Sequence, residues 1–159
     1  MSLPGPLPFP AHIPFVVELG CQLERFEDGE AELSLVLDPL VHTNSFGVAH
    51  GGVVMTLLDV AMAHAARSRH KDEPGCGPGI VTIEMKTTFF RPCLGRLRAL
   101  GTVLHASAKM VFCEARVLNE AGELCAHATG TFKFLRALPV SGRATHPLAG
   151  PAPQDGGSD

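Results

Sequence analysis

The residues best placed to do chemistry lie in one stretch, HTNSFGVAHGGVVMTLLDVAMAHAAR, from His42 to Arg67. Asp59 is its single acid, set in a largely apolar run from Val53 to Ala66. An ionised carboxylate taken out of water costs several kcal/mol unless it is paired or hydrogen-bonded. Asp59 therefore reaches a subunit edge, pairs with a distant arginine, or serves a reaction. The preceding residues bear on that choice. Gly51 and Gly52 carry no side chain to shield their N–H groups, so an oxyanion or carbonyl oxygen can come close. A helix starting there adds unpaired donors and partial positive charge. The stretch offers an end that polarises a carbonyl and, two turns on, a base.

The element that positions these groups is a helix. From Gly51 to Ala66 nothing breaks a helical interior, and the run fits about four to five turns at ~3.6 residues each. Val53, Val54, Met55, Leu57, Leu58, Val60, Ala61, Met62, Ala63, Ala65 and Ala66 point in every direction. Such a helix must be wrapped by other structure. Gly51 and Asp59 lie ~12 Å apart along its axis at ~1.5 Å per residue. A base and an oxyanion donor serving one carbonyl must both sit close to it. If both act in one reaction, Asp59 comes from a second, antiparallel copy of the helix, which implies a two-fold dimer with two composite sites.

Around this helix the chain reads as strands. Residues 1–13 form an arm in which Pro4, Pro6, Pro8 and Pro10 exclude regular hydrogen bonding. Two strands follow, VVELGCQLERF and EAELSLVLDPL, joined at Asp28-Gly29, a strong hairpin signal. After the helix, RSRHKDEPGCGPG is a polar loop. Then IVTIEMKTTFFRP, LGRLRALGTVLHAS, AKMVFCEARVLNE and GELCAHATGTFKFL read as four strands of an antiparallel meander. Residues 139–159, rich in Pro, Gly, Ala and Ser, read as a disordered tail. The fold class is α+β: an antiparallel sheet of about six strands curved around one long helix, in a single domain over 14–138.

Composition narrows the function. The chain has 159 residues, 45% hydrophobic, with a net charge of −3, and no basic block interleaved with aromatics. That gives no case for nucleic acid. Cys21, Cys76, Cys93, Cys113 and Cys125 are odd in number and form no C-x-x-C pair, so reduced thiols are expected rather than disulfides or a zinc site. The proline-broken N-terminus lacks the basic region of a signal peptide, and no apolar run reaches the ~18–20 residues of a membrane span. A cytoplasmic protein without cofactor, metal or membrane partner is expected.

The β-β-α-β-β-β-β order, with N-x-x-G-x-x-H-G-G running into LLDVA, resembles the hotdog fold, and within it the PaaI-like acyl-CoA thioesterases. The likeness covers roughly Leu19 to Arg136. It implies that Asn44 holds the thioester carbonyl or the attacking water, that His50 lies beside the site in the HGG turn, and that the Gly51 N–H is an oxyanion donor. Asp59 becomes the carboxylate that activates water or attacks directly, and Thr82 the hydroxyl that orients it. The resemblance also implies a homodimer or homotetramer, with Asn44 and Gly51 of one subunit facing Asp59 and Thr82 of the other.

The expected reaction is hydrolysis of an acyl-CoA thioester to free acid and coenzyme A. A hydratase or dehydratase on the same fold, and a non-catalytic acyl-CoA binding module, are the alternatives. Arg91, Arg96, Lys109 and Arg136 are candidates for the coenzyme A phosphates. Met55, Met62, Phe89 and Phe90 could line an acyl tunnel. His64, off the face of Asp59, reads as structural.

Overall fold

The computed structural model describes residues 5–141 and 144–151. In chain order the elements are α1 (Pro14–Glu18), β1 (Gln22–Glu27), β2 (Glu30–Val36), α2 (Gly51–Ser68), β3 (Gly79–Phe89), β4 (Arg96–Ala106), β5 (Met110–Leu118), β6 (Leu124–Leu135), β7 (Ala137–Ser141) and β8 (Ala144–Pro147). Strands β1 to β6 form one sheet in the order β1-β2-β4-β5-β6-β3, every pairing antiparallel. This is the expected α+β architecture of a six-stranded sheet around one long helix.

Helix α2 packs across one face of the sheet, in contact with all six of its strands. Leu57, Leu58, Ala61, Met62 and Ala65 are fully buried against it, among Leu33, Leu97, Ala99, Val111, Val117 and Phe132. The helix backbone rests directly on β4, because a Cβ at Gly101 would run into the Ala61 carbonyl. Only glycine allows that approach. The wrapping is incomplete, however. Gly52, Met55, Thr56, Asp59 and Ala63 follow one another at helical spacing and stay partly open. The protomer covers the helix on all sides but this stripe.

Three local readings differ from expectation. The first strand begins only at Gln22: Pro14 starts the short helix α1, suited to a first helical position by its fixed φ. Val16 is buried under it, and Gly20 at φ 80° turns the chain into β1. The last four large strands are not one meander. β4, β5 and β6 are, but β3 pairs with β6 at the sheet edge, since β2 and β5 already fill both flanks of β4. Finally, the described part of the expected disordered tail carries the ribbon β7–β8, where Leu138 pairs with His146. Residues 142–143 and 152–159 lie outside the described residues. The hairpin at Asp28-Gly29 is as expected, with both residues at positive φ (49° and 85°), as a two-residue type I′ turn requires.

The edge strand β3 carries the feature that aligns the site. Its register with β6 shifts between Thr82 and Glu84, leaving Ile83 as an extra residue. In a regular strand Thr82 and Phe89, seven positions apart, would face opposite sides. The bulge resets the alternation. Thr82 is paired with buried Phe132 and Phe89 with buried Ala126, so both face α2.

Candidate active site

The loop ahead of α2 is held from both ends. His42, buried at 5% exposure, accepts the Asp38 N–H at Nδ1 (2.9 Å), and its carbonyl accepts the His50 N–H (2.8 Å). The Ala49 N–H donates to the Cys93 carbonyl at 2.9 Å, tying the loop to the β3–β4 connection. Asn44 forms an Asx turn in which Oδ1 accepts the Phe46 N–H (2.9 Å). That bond uses the acceptor of the amide and fixes its plane. The Nδ2 donors remain for another partner.

His50 caps α2: its Nδ1 accepts the Gly52 N–H at 2.9 Å. The Gly51 N–H has no partner among the described residues. A cleft of about 400 Å³ opens beside it, lined by Asn44, Gly51, Phe89, Phe90, Arg91 and Cys93. Asn44, His50 and Gly51 thus come together, with an amide donor and a free helix N–H at one opening.

Asp59 and Thr82 meet elsewhere. The Thr82 hydroxyl donates to Asp59 Oδ1 at 2.7 Å, linking α2 to β3. Burial raises the Asp59 carboxyl above its ordinary value, and the Thr82 hydrogen bond pulls part of the way back. A second pocket, about 340 Å³, lies against this pair and includes Val60, Ala63, His64, Arg67 and Ile80. The two openings share no residue, which matches their ~12 Å separation along the helix.

Other candidates are placed as follows. Arg96 is taken up by Glu24 and Ser34 on the outer face of the sheet. Arg91 donates to the Leu124 carbonyl at 2.8 Å and borders the Gly51 cleft. Phe89 lies 3.5 Å from where a Gly51 Cβ would stand. Sequence reasoning missed the support given by His42 and the place of His64 in the wall of the Asp59 pocket. The spacing of His64 to Val60 and Ala63 on α2 was the available signal. No group of three or more His, Cys, Asp or Glu able to hold a metal occurs among the described residues, and no described helix is long and apolar enough to cross a membrane.

The family model described as the thioesterase superfamily matches residues 46–126, just over half of the chain. The chain belongs to the thioesterase superfamily. The medium/long-chain acyl-CoA thioesterase YigI of Escherichia coli is 31% identical to this thioesterase over 135 residues, covering 78% of this chain and 87% of that protein. Among solved structures, the conserved protein PA5202 from Pseudomonas aeruginosa is 31% identical, with a TM-score of 0.71 over 79% of this thioesterase and 97% of that chain. The E. coli PaaI protein from the phenylacetic acid degradation operon shares 21% identity and a TM-score of 0.70, covering 78% of this chain and 86% of that one. The last likeness is one of fold. A mutant structure of the phenylacetic acid degradation protein PaaI from Thermus thermophilus is 30% identical, with a TM-score of 0.66 over 77% of this chain and 100% of that one, which makes this thioesterase a PaaI-like member with the hotdog fold.

Proposed function

We propose that this thioesterase hydrolyses acyl-CoA thioesters at a composite site made by two antiparallel copies of α2. One protomer supplies Asn44 and the Gly51 N–H, and the other supplies Asp59 and Thr82. The observation that carries the reading is the separation of two half-equipped openings on one helix: donors without a base at Gly51, a base without carbonyl donors at Asp59.

The surface for such a dimer is available. Among the described residues β3 pairs only with β6, so eleven residues of strand present an open edge. Open edges invite pairing. Met55 on α2, Ile83 and Phe89 on β3, and Phe90 just beyond it are between 39% and 55% exposed. The register follows from contacts within one chain. Asp59 touches Thr82, and Gly51 lies against Phe89. For the partner's Asp59 to meet Gly51, the partner's Thr82 must approach Phe89. An antiparallel pairing of 82 with 89 places its two-fold axis near Met85 and Lys86.

In this arrangement the thioester carbonyl oxygen accepts from the Gly51 N–H and Asn44 Nδ2. Ionised Asp59 takes a proton from water while the water oxygen attacks the carbonyl carbon, and the carbonyl oxygen becomes the oxyanion. The tetrahedral oxyanion then collapses, the carbon–sulfur bond breaks, and the coenzyme A thiolate leaves and is protonated. Direct attack by Asp59 through a mixed anhydride uses the same atoms, with water entering in a second step. His50 holds the Gly51-Gly52 turn in shape through its cap.

The test is free-thiol release from aliphatic and aromatic acyl-CoAs by the native protein and Asp59→Asn. Turnover that falls at least ~100-fold in the folded variant supports the assignment. Absence of thiol release from every substrate overturns it, and equal turnover by both proteins removes Asp59 from the mechanism.

A further inference from the structure

The pocket beside Asp59 is built partly by segments that lie outside the family-matched residues 46–126. Its outer wall is Ala11, His12 and Ile13 of the N-terminal arm and Phe15 and Val16 of α1, with Leu148 from beyond β8. These two segments are clasped to each other and to the body. The His12 N–H donates to the Gly150 carbonyl (2.9 Å), the Leu7 N–H to the Leu23 carbonyl (2.6 Å), and Phe9 packs edge-on against His64 with ring centroids 5.2 Å apart. Ala11 and Val16 are each only 2% exposed. The arm is a fixed wall, although its prolines exclude regular structure.

The inner wall is one face of α2: Thr56, Asp59, Val60, Ala63, His64 and Arg67. From Asp59 to Arg67 this face runs ~12 Å. Its far end is polar. His64 Nδ1 bonds the Val60 carbonyl, while His64 Nε2 and Arg67 Nε are buried without a partner among the described residues. The Arg67 guanidinium, held through one Nη by the Gly75 and Cys76 carbonyls, closes this end of the pocket.

We propose that this pocket holds the acyl group of the substrate and limits it to medium length, with the arm residue Ile13 and the tail residue Leu148 as the specificity-determining wall. The inference rests on the thioesterase reading above and deepens it. The thioester carbonyl sits at Asp59, and the chain runs along α2 toward His64. A run of ~12 Å takes roughly ten carbons, each ~1.5 Å bond advancing a little less than its length. The volume of about 340 Å³ agrees, since at ~30 Å³ per water-sized unit it holds roughly ten heavy atoms.

The experiment is kcat/KM for saturated acyl-CoAs from four to eighteen carbons, with native protein, Ile13→Ala/Leu148→Ala and Ala63→Leu. The native profile peaks near ten carbons and drops at least ~10-fold by sixteen, a step of the size that a few misplaced methylenes produce. The double variant moves the optimum up by two or more carbons. Ala63→Leu, which acts on the opposite wall and does not depend on the double variant folding, moves it down. A profile flat across lengths, or an optimum unmoved in both folded variants, overturns the inference and leaves the thioesterase reading standing. Thiol release from no length overturns that reading and this one with it.

Discussion

The Thr82 hydroxyl donates a 2.7 Å hydrogen bond to Asp59 Oδ1, joining the edge strand to the central helix at the point where the carboxylate is half buried. The bond exists because the bulge at Ile83 turns Thr82 toward α2. It opposes the effect of burial, which holds the Asp59 carboxyl above its ordinary value. Thr82→Val removes the opposing influence and leaves burial alone. The acid limb of the kcat/KM profile, which reports ionisation of the free enzyme's base, then shifts to higher pH. A limb that stays in place would show that Thr82 does not act through Asp59.

The same raised value has a consequence for stability. The fold disfavours the ionised form of Asp59 relative to the unfolded chain. Its contribution to stability is full below the unfolded value of ~3.9 and is lost as pH rises through the raised folded value. Asp59→Asn, which cannot ionise, should therefore melt above the native protein at pH 7. The gap should close below pH ~4, the ordinary range of an unfolded aspartate. Thermal melts of both proteins across that range decide it; a variant that melts lower at neutral pH would contradict the burial argument.

His64 works with the opposite sign. Burial takes its imidazole from 6.5 down to about 4, with the charge of Arg67 adding to the shift and the Val60 hydrogen bond opposing it. The unfolded chain binds a proton there that the folded one refuses. Stability is full above ~6.5 and falls as pH drops toward 4, by up to ~3 kcal/mol at ~1.4 kcal/mol per unit. His64→Leu should flatten this part of the melting curve between pH 4 and 6.5. An unchanged slope would place the acid-sensitive group elsewhere.

A shared site predicts complementation. Asp59→Asn and Asn44→Ala are each expected to be nearly inactive. In a mixed dimer one site inherits both defects and the other inherits neither. Mixing the two purified variants under conditions that exchange subunits should restore thiol release toward half the native rate in each mixed dimer. No recovery, with exchange verified by tagged subunits, would put both residues in one protomer's site.

Gly101 is predicted to tolerate nothing larger. A methyl group there meets the Ala61 carbonyl, so Gly101→Ala must push α2 off β4 and disturb the fully buried row of Leu57, Ala61 and Met62. Overpacking of this kind costs ~1–3 kcal/mol. Urea unfolding midpoints measure it, and an unaltered midpoint would mean the helix can shift freely.

The centre of the molecule was legible in the sequence because its signals are local. An unbroken apolar run after Gly51-Gly52 gives α2, and one acid in that run singles out Asp59. Asp28-Gly29 gives the first hairpin. What was not legible depends on distant partners. β3 reads as a strand anywhere, but its place beside β6 is settled by which neighbours β4 already has. The bulge at Ile83 breaks the alternation that sequence reading relies on, so the common facing of Thr82 and Phe89 could not be read. Helix α1 is too short to show a period. The arm reads as irregular from its prolines, yet the bonds from Leu7 and His12 that make it a wall run to Leu23 and Gly150.

The incompletely covered stripe on α2 bears on when the protein can act. In the composite site proposed above, with donors at one end of the helix and base at the other, a single newly made chain would be inert toward thioesters however well it has folded. Its specific activity would then be a function of its own concentration, falling on dilution as pairs separate. Cells that make little of it would have less than proportionate hydrolysis, and those that make more would gain it steeply.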